Sequence, residues 1–306
     1  MMNKADIVIV GAGPAGLTAA IYARRAGMST VIFEGEIYGG QIVNTPEVEN
    51  YPGIANISGF DLAMNLYNQA SDLGAEFIME SVVAIEGNAA DGFLVRSERT
   101  DVKAGAVVIA TGAKNRHLGL PNEDLLLGHG ISYCATCDGS FFRGKIVAVN
   151  GGGNTAVEDA LYLADIASKV YLIHRRNEFR AEENLVARAR DNEKIEIVTP
   201  KNVTGLNGED KLTSILVTDT ATGLQEEIAV DALFIAIGQV PSSSAFTNVA
   251  SLENGYIVAG EDCRTGSEGI FVAGDVRTKT VRQLTTAAAD GAVAALAACE
   301  FVRSKR

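Results

Sequence analysis

The chain has 306 residues, of which 47% are hydrophobic and 21% charged, and its formal net charge is −12. These values exclude a disordered chain and predict a globular protein, while the length favours about two domains. The acidic balance argues against nucleic acid or an anionic membrane as the main partner, and we expect a cytoplasmic protein because the first strand follows the N-terminus closely and no apolar run approaches a membrane span.

A dinucleotide-binding fingerprint stands near the start of the chain. The apolar run Ile7–Val10 predicts a strand and Leu17–Arg25 predicts a helix. The glycines between them let the backbone turn sharply and approach a pyrophosphate, which accepts hydrogen bonds from N–H groups at the helix N-terminus. The next strand, Thr30–Phe33, ends in an acid at the spacing where a carboxylate meets an adenosine ribose. A glycine-rich turn without ligand is the alternative. The residues assigned to this site are Gly11, Gly13, Pro14, Ala15, Gly16 and Glu34.

A Cys-x-x-Cys pair, Cys134 and Cys137, is followed directly by Asp138. Four cysteines are too few for a disulfide scaffold, and a reducing compartment argues against a persistent structural bridge. A structural zinc site needs two further Cys or His ligands at close spacing. Cys263 and Cys299 do not provide that spacing, and we interpret both as buried thiols. The pair is therefore predicted to be catalytic, with no metal.

A second fingerprint follows the strand predicted at Lys145–Val149 and opens a helix that reaches Ile166; it supplies Gly151, Gly153, Asn154, Thr155 and Ala156. Its next strand ends not in an acid but in basic residues, His174, Arg175 and Arg176, with Arg180 one helical turn further on. A carboxylate would repel a ribose 2′-phosphate, whereas guanidinium groups bind its oxygens bidentately. The sequence therefore predicts NADPH rather than NADH. The alternative is a basic surface patch.

Each fingerprint opens a similar unit. The units close on the similar strands Val107–Gly112 and Leu233–Gly238, and each carries alternating segments, around 82–95 and 203–217, that predict a small antiparallel layer. We therefore predict an α/β fold with two Rossmann-like dinucleotide-binding domains of the three-layer ββα type, the second inserted into the first. The predicted boundaries are 1–113 with 245–306 for the first domain and 114–244 for the second, joined by a two-stranded hinge.

The portion that returns to the first domain contains a predicted strand, Gly269–Ala273, that ends in Gly274 and Asp275. An Asp at this point can bind a ribityl hydroxyl, and the N-terminus of the following helix can stabilise negative charge on a reduced flavin. The alternative for Asp275 is a cap on that helix.

Taken in order, these motifs resemble the low-molecular-weight, bacterial-type thioredoxin reductases, members of the pyridine nucleotide-disulfide oxidoreductases, across nearly the whole chain. Other segments that carry the resemblance are Gly39–Gln41, Glu47–Asn50, Ala110–Ala113 and Arg282–Gln283. The resemblance implies that Gln41, Asn50, Asp275 and Gln283 contact FAD. The other residues that it places in the cofactor sites are Gly40, Ala110, Thr111, Gly112, Gly274, Arg282 and Leu284.

The same resemblance implies NADPH-dependent reduction of thioredoxin through FAD. Cys134 and Cys137 would form the redox disulfide, with Cys137 nearer the flavin and Cys134 attacking thioredoxin's disulfide. Asp138 would donate and accept the proton, its alternative role being a helix N-cap. The inserted domain would rotate about the hinge, presenting the disulfide and NADPH to the flavin in turn. A homodimer formed through the FAD-binding part is also implied.

Four other functions remain open at this point. A ferredoxin-driven flavin reductase would not need the second fingerprint and the arginines, both of which are intact. A flavin-dependent dithiol oxidase would use the same cysteine pair, but it would not need the arginine cluster. A related reductase would serve a glutaredoxin-like or peroxide-reducing partner instead of thioredoxin. A non-catalytic nucleotide sensor on the same fold would leave the Cys-x-x-Cys pair unexplained.

Overall fold

The computed structural model describes residues 4–306. They divide into two compact units, the first comprising the described residues up to Lys114 together with Val240–Arg306, and the second Asn115–Gln239. Lys114 and residues 240–244, which the predicted boundaries placed in the inserted domain, fall in the first unit by this division. The short strands Ala113–Asn115 and Gln239–Pro241, where the chain passes between the units, pair with each other.

In chain order the elements are β1 (Lys4–Val10), α1 (Pro14–Arg25), β2 (Thr30–Glu34), α2 (Gly59–Asp72), β3 (Glu76–Met79), β4 (Val82–Asn88), β5 (Gly92–Ser97), β6 (Asp101–Ile109), β7 (Ala113–Asn115), β8 (Ile131–Ser132), α3 (Ala135–Asp138), β9 (Ile146–Asn150), α4 (Asn154–Ile166), β10 (Lys169–Ile173), α5 (Glu183–Arg190), β11 (Ile195–Val198), β12 (Lys201–Asn207), β13 (Ser214–Asp219), β14 (Gln225–Ala229), β15 (Ala232–Ile235), β16 (Gln239–Pro241), β17 (Leu252–Glu253), β18 (Tyr256–Ile257), β19 (Ile270–Val272) and α6 (Leu284–Ser304). At its fingerprint each unit has a strand, helix, strand succession, β1-α1-β2 and β9-α4-β10, as the apolar runs predicted.

The first unit is built on one sheet with the strand order β3-β2-β1-β6-β5-β4, and β19 also pairs with β6. The pairs β1–β2, β2–β3, β1–β6 and β6–β19 are parallel, whereas β4 and β5 pair antiparallel. Strands of a parallel sheet are covered on both faces, which explains the unbroken apolar run Ile7–Val10. One face packs against α1 and α6, and the other against Ile85, Phe93 and Phe246.

The second unit repeats this arrangement. Its main sheet has five strands in the order β11-β10-β9-β15-β8, and all of its pairs are parallel. Helices α4 and α5 cover one face, and the antiparallel strands β12, β13 and β14 cover the other. The predicted fold class, two Rossmann-like domains with a helical and an antiparallel layer each, is confirmed.

Helix α6, which follows Asp275 as the sequence predicted, spans Leu284–Ser304. Among residues 4–306 it is the one helix whose length and apolar composition would suffice to cross a membrane. The expectation that no apolar run approaches that length is therefore wrong. However, 56% of its apolar window is buried in the protein, where Ala294 and Ala298 belong to the core of the first unit. Its composition is that of a core helix.

Candidate active site and nucleotide sites

The first glycine-rich turn is shaped by close backbone contacts. An added Cβ at Gly16 would lie 1.8 Å from the Gly11 carbonyl oxygen, and one at Gly11 would lie 2.4 Å from the Ala110 carbonyl oxygen. At Gly13, by contrast, the nearest such contact is 4.0 Å away. Gly13 is the N-cap of α1, and no side chain of the described residues caps this helix. Its first N–H groups therefore receive no side-chain cap from these residues, an arrangement that suits the pyrophosphate of a dinucleotide.

Glu34 lies at this turn, as its position at the end of β2 predicted. Its Oε2 accepts a hydrogen bond of 2.8 Å from the Ala12 N–H. The segment that carries Gly39 packs on the same turn, because the Gly39 N–H donates to the Ala12 carbonyl at 2.8 Å. The Gln41 amide donates to the Ala113 carbonyl. The structure thus brings the first fingerprint, Glu34 and the segment around Gly40 together.

A second group of predicted FAD ligands meets at the start of α6. The Asn50 amide donates to the Gln283 Oε1 at 3.5 Å. Gln283 is the N-cap of α6 and forms a capping box with Thr286. Asp275, for which a helix cap was the alternative role, therefore does not cap α6. Its Oδ1 is buried and has no hydrogen-bond partner within the described chain.

An unpartnered buried carboxylate oxygen is costly unless a ligand satisfies it. Burial raises the pKa of Asp275, while Lys279 and Arg282 oppose the shift. A ribityl hydroxyl of FAD would supply the missing donor, and the uncapped turn at Gly13 would take the pyrophosphate. The residues of the first unit therefore fit FAD.

Behind this site lies a buried charge cluster that sequence reasoning missed, formed by Asp290 of α6 with Arg277 and Lys279. The Asp290 Oδ2 accepts hydrogen bonds from the Arg277 Nε, the Lys279 Nζ and the Gly274 N–H at 2.8, 2.8 and 3.0 Å. Arg277 also reaches the Asp290 Oδ1 at 2.9 Å. The side chains of all three charged residues are at most 6% exposed. The cluster thus fixes the backbone that carries Asp275.

In the second glycine-rich turn, as in the first, one glycine is required by a close backbone contact and another leaves space at the start of the helix. An added Cβ at Gly151 would lie 2.3 Å from the Ala236 carbonyl oxygen, whereas nothing lies within 4 Å of one at Gly153. Gly153 is the N-cap of α4, again without a side-chain cap within residues 4–306. Asn154 does not point its amide into the turn but binds Glu182, accepting from its backbone N–H at 2.9 Å. The open turn at Gly153 fits a second pyrophosphate.

The predicted basic residues surround this turn. The His174 ring lies directly over Gly152, where an added Cβ would be only 2.2 Å from it. Burial lowers the pKa of His174, and the positive charges of Arg180 and Arg175 lower it further. A hydrogen bond with the Glu178 backbone acts in the opposite direction but does not outweigh them. All three arginines are exposed, and the backbone N–H of Arg180 donates a hydrogen bond of 2.7 Å to the Gly152 carbonyl. The backbone of Arg180 is therefore bound to the turn, and all three arginines are exposed to solvent.

Cys134 and Cys137 form a disulfide in the same unit. Cys134 is the N-cap of the short helix α3, and its carbonyl accepts hydrogen bonds from the N–H groups of Cys137 and Asp138 at 3.3 and 3.1 Å. Both cysteines are half-buried. Cys263 and Cys299 are free and buried, as expected, and burial raises the pKa of Cys263 to about 12.

Asp138 lies at the N-cap position of a short 3-10 helix, Gly139–Phe142, but its side chain makes no capping bond. Its Oδ2 instead accepts a hydrogen bond of 2.6 Å from the Ser132 hydroxyl. Burial raises the pKa of Asp138, and the bond from Ser132 opposes that rise. A carboxyl group of raised pKa next to a disulfide is suited to proton transfer.

Comparison with known proteins gives the class. The family model described as pyridine nucleotide-disulphide oxidoreductase matches residues 5–291. The thioredoxin reductase of Bacillus subtilis (strain 168) is 44% identical over 300 residues, which cover 97% of this chain and 94% of that protein. The thioredoxin reductase of Treponema pallidum (strain Nichols) is 43% identical over 303 residues, covering 99% and 98%. The crystal structure of thioredoxin reductase from Streptococcus pyogenes MGAS5005 matches with a TM-score of 0.94 at 40% identity, covering 99% of this chain and 100% of that one.

The chain therefore belongs to the pyridine nucleotide-disulphide oxidoreductase family, a membership that implies FAD and NAD(P)H as cofactors. Within that class, the resemblance to the low-molecular-weight thioredoxin reductases that the motifs indicated is confirmed.

Proposed function

We propose that this protein is an NADPH-dependent thioredoxin reductase that uses FAD and the Cys134–Cys137 disulfide. The observation that carries the proposal is the disulfide, with its adjacent carboxyl group, in the unit that also holds the second glycine-rich turn. The chemistry that FAD supplies when bound is acceptance of a hydride and donation of an electron pair to a disulfide. The chain's own residues bind the two nucleotides and exchange the disulfide with the protein substrate.

The choice of NADPH over NADH rests on the end of β10. Arg175, Arg176 and Arg180 are exposed around the turn, and their guanidinium groups match the geometry of phosphate oxygens. The strand ends at Ile173 and is followed by His174, where an NAD site would place an acid that binds the ribose 2′-hydroxyl.

In the proposed exchange, the Cys134 thiolate attacks one sulfur of oxidised thioredoxin and the other thioredoxin sulfur leaves as a thiolate, which takes up a proton. The Cys137 thiol then loses its proton and attacks the Cys134 sulfur of the mixed disulfide, releasing the second thioredoxin sulfur as a thiolate, which is protonated in turn. Two electrons and two protons pass from the enzyme dithiol to thioredoxin. Asp138 is the group that takes and returns a proton.

Three further features belong to the proposal. The second unit rotates about the paired strands β7 and β16, so that the flavin meets the disulfide and the nicotinamide in turn; a connection of two chain segments permits such motion. The enzyme is a homodimer formed through the first unit. It acts in the cytoplasm, where reducing conditions suit a catalytic rather than a structural disulfide.

The test follows the flavin absorbance of purified protein after anaerobic addition of NADPH, then counts thiols after addition of oxidised thioredoxin. We expect bleaching, followed by recovery with stoichiometric thiols on thioredoxin. Cys134→Ser and Cys137→Ser should lose thiol formation. Bleaching without thioredoxin reduction would contradict the assigned substrate, and absence of bleaching would contradict the assigned nucleotide.

A further inference from the structure

Ser132 connects the proton-carrying group to the redox turn. It is the last residue of β8 and is only 3% exposed. Its hydroxyl donates to the Asp138 Oδ2 at 2.6 Å and accepts a hydrogen bond of 3.0 Å from the Cys134 N–H. One buried hydroxyl therefore bonds both the carboxylate and the backbone of the N-terminal cysteine.

Within the described residues, the Ser132 hydroxyl is the hydrogen-bond donor to the Asp138 carboxylate. The carboxylate makes no capping bond to the 3-10 helix that follows, and no cation contributes to its pKa shift. Without Ser132 the carboxylate would be half-buried without a protein donor, and its side-chain torsions would lose the contact that holds them. A hydrogen bond to the charged form of an acid favours that form. Ser132 thus acts on both the position and the ionisation of Asp138.

We propose that Ser132 is a positioning residue for the thiol–disulfide exchange, which holds the Asp138 carboxylate against the Cys134–Cys137 turn so that it takes and returns the proton of that exchange. The proposal rests on the proposed function for the role of the cysteine pair. In the reductive direction, a thiolate attacks one sulfur of the Cys134–Cys137 disulfide and the other sulfur leaves as a thiolate. That thiolate receives its proton from Asp138, which is then reprotonated from solvent.

The titration of other groups near Asp138 has to be distinguished from the titration of Asp138 itself. The helix packed against α3 is α4, whose titratable side chains are Glu158, Asp159, Tyr162 and Asp165. None of them contributes to the pKa shift of Asp138. Burial, with a smaller effect from Glu158, raises the pKa of Asp159 to about 7. Titration of Asp159 can therefore produce its own limb, a pH range over which the rate changes, in the rate–pH profile. The measurements are therefore made in an Asp159→Asn background as well.

The experiment reduces the disulfide of the FAD-loaded protein with dithiothreitol at a series of pH values and counts protein thiols after an acid quench. Dividing the rates of the parent and of each serine variant by the rate of Asp138→Asn at the same pH cancels the ionisation of dithiothreitol. Asp138→Asn identifies the limb that depends on Asp138. In Ser132→Ala we expect this limb to move to higher pH by about one to two units, because the ionised carboxylate loses its donor.

Two further variants separate positioning from a general structural effect. Ser132→Thr keeps a hydroxyl at the same atom and should restore the parent limb. Ser140→Ala makes the same change at an exposed serine two residues after Asp138 and should leave the profile unchanged. The proposal is overturned if the limb is unmoved in Ser132→Ala, or if the parent has no limb that Asp138→Asn removes. Because neither NADPH nor thioredoxin takes part, failure to reduce thioredoxin would contradict the proposed function without affecting this result.

Discussion

Asp290 offers the sharpest test of how the first unit is held together. Asp290→Asn keeps the shape of the side chain but removes the anion that faces Arg277 and Lys279, whose side chains are 1% and 4% exposed. Removing one partner of a buried ion pair costs about 3–5 kcal/mol, because the other charge is left buried and unpaired. Glu261 still reaches Arg277 at 3.1 Å, but its side chain is 91% exposed, so it compensates little.

We therefore expect a loss of about 3–5 kcal/mol, which corresponds to a fall in Tm of about 6–20 °C for a unit of this size. The assay is the calorimetric endotherm of the FAD-loaded protein. Glu300→Gln, on the same helix, removes the carboxylate of an exposed ion pair with Arg264 at 3.0 Å and should leave Tm close to the parent value. If Asp290→Asn lowered Tm no more than Glu300→Gln does, the cluster would not stabilise the unit.

The pH dependence gives an independent check. Burial would raise the pKa of Asp290, but hydrogen bonds from Arg277 and Lys279 outweigh it and hold the pKa below the ordinary value of 3.8. A depressed folded-state pKa contributes stability that is complete above the unfolded-state value and is lost as the pH falls through the folded-state value. The difference between parent and Asp290→Asn should therefore be constant from about pH 8 to pH 5 and shrink below about pH 4. A difference that changed around neutral pH would contradict this assignment.

The remaining predictions concern the nucleotide sites. Gly16→Ala should lower both Tm and FAD content, since the new Cβ would lie 1.8 Å from the Gly11 carbonyl oxygen. Gly153→Ala has open space and should fold normally by circular dichroism, yet bind NADPH more weakly in a fluorescence titration because the methyl group faces the pyrophosphate. Arg175→Gln and Arg180→Gln should each raise the KM for NADPH by about 10-fold or more and leave the KM for NADH nearly unchanged, since each loses a charge-assisted hydrogen bond to the 2′-phosphate. Equal changes for both nucleotides would contradict that contact.

The turns, the strands and the cysteine pair were predictable because their signals are local. A run such as Ile7–Val10 followed by glycines specifies a strand and a tight turn within about ten residues, whatever the rest of the chain does. The Cys-x-x-Cys spacing likewise places both sulfurs on one helical turn. These local signals were enough for the fold class and for the identity of the reactive groups.

The supporting groups were not predictable, because they depend on contacts between distant segments. No spacing links Asp290 to Gly274, which meet because α6 passes beside the end of β19. Nothing in the sequence distinguishes Ser132 from other strand serines, because its contact with Asp138 forms only when α3 brings Asp138 back to the end of β8. The capping box of α6, formed by Gln283 and Thr286, was likewise not predicted.

Three aspartates show that the surroundings of a carboxyl group determine its pKa and its role. Asp290 faces two buried cations, so its pKa is lowered and it remains an anion that fixes backbone. Asp138 has a single hydroxyl donor and a raised pKa, which leaves its proton exchangeable. Asp275 also has a raised pKa, and its Oδ1 is buried without a protein partner, which leaves it for a ligand. Since all three carry the same carboxyl group, their different roles follow from the donors around them, and changing those donors, as in Ser132→Ala, should change the role without touching the acid itself.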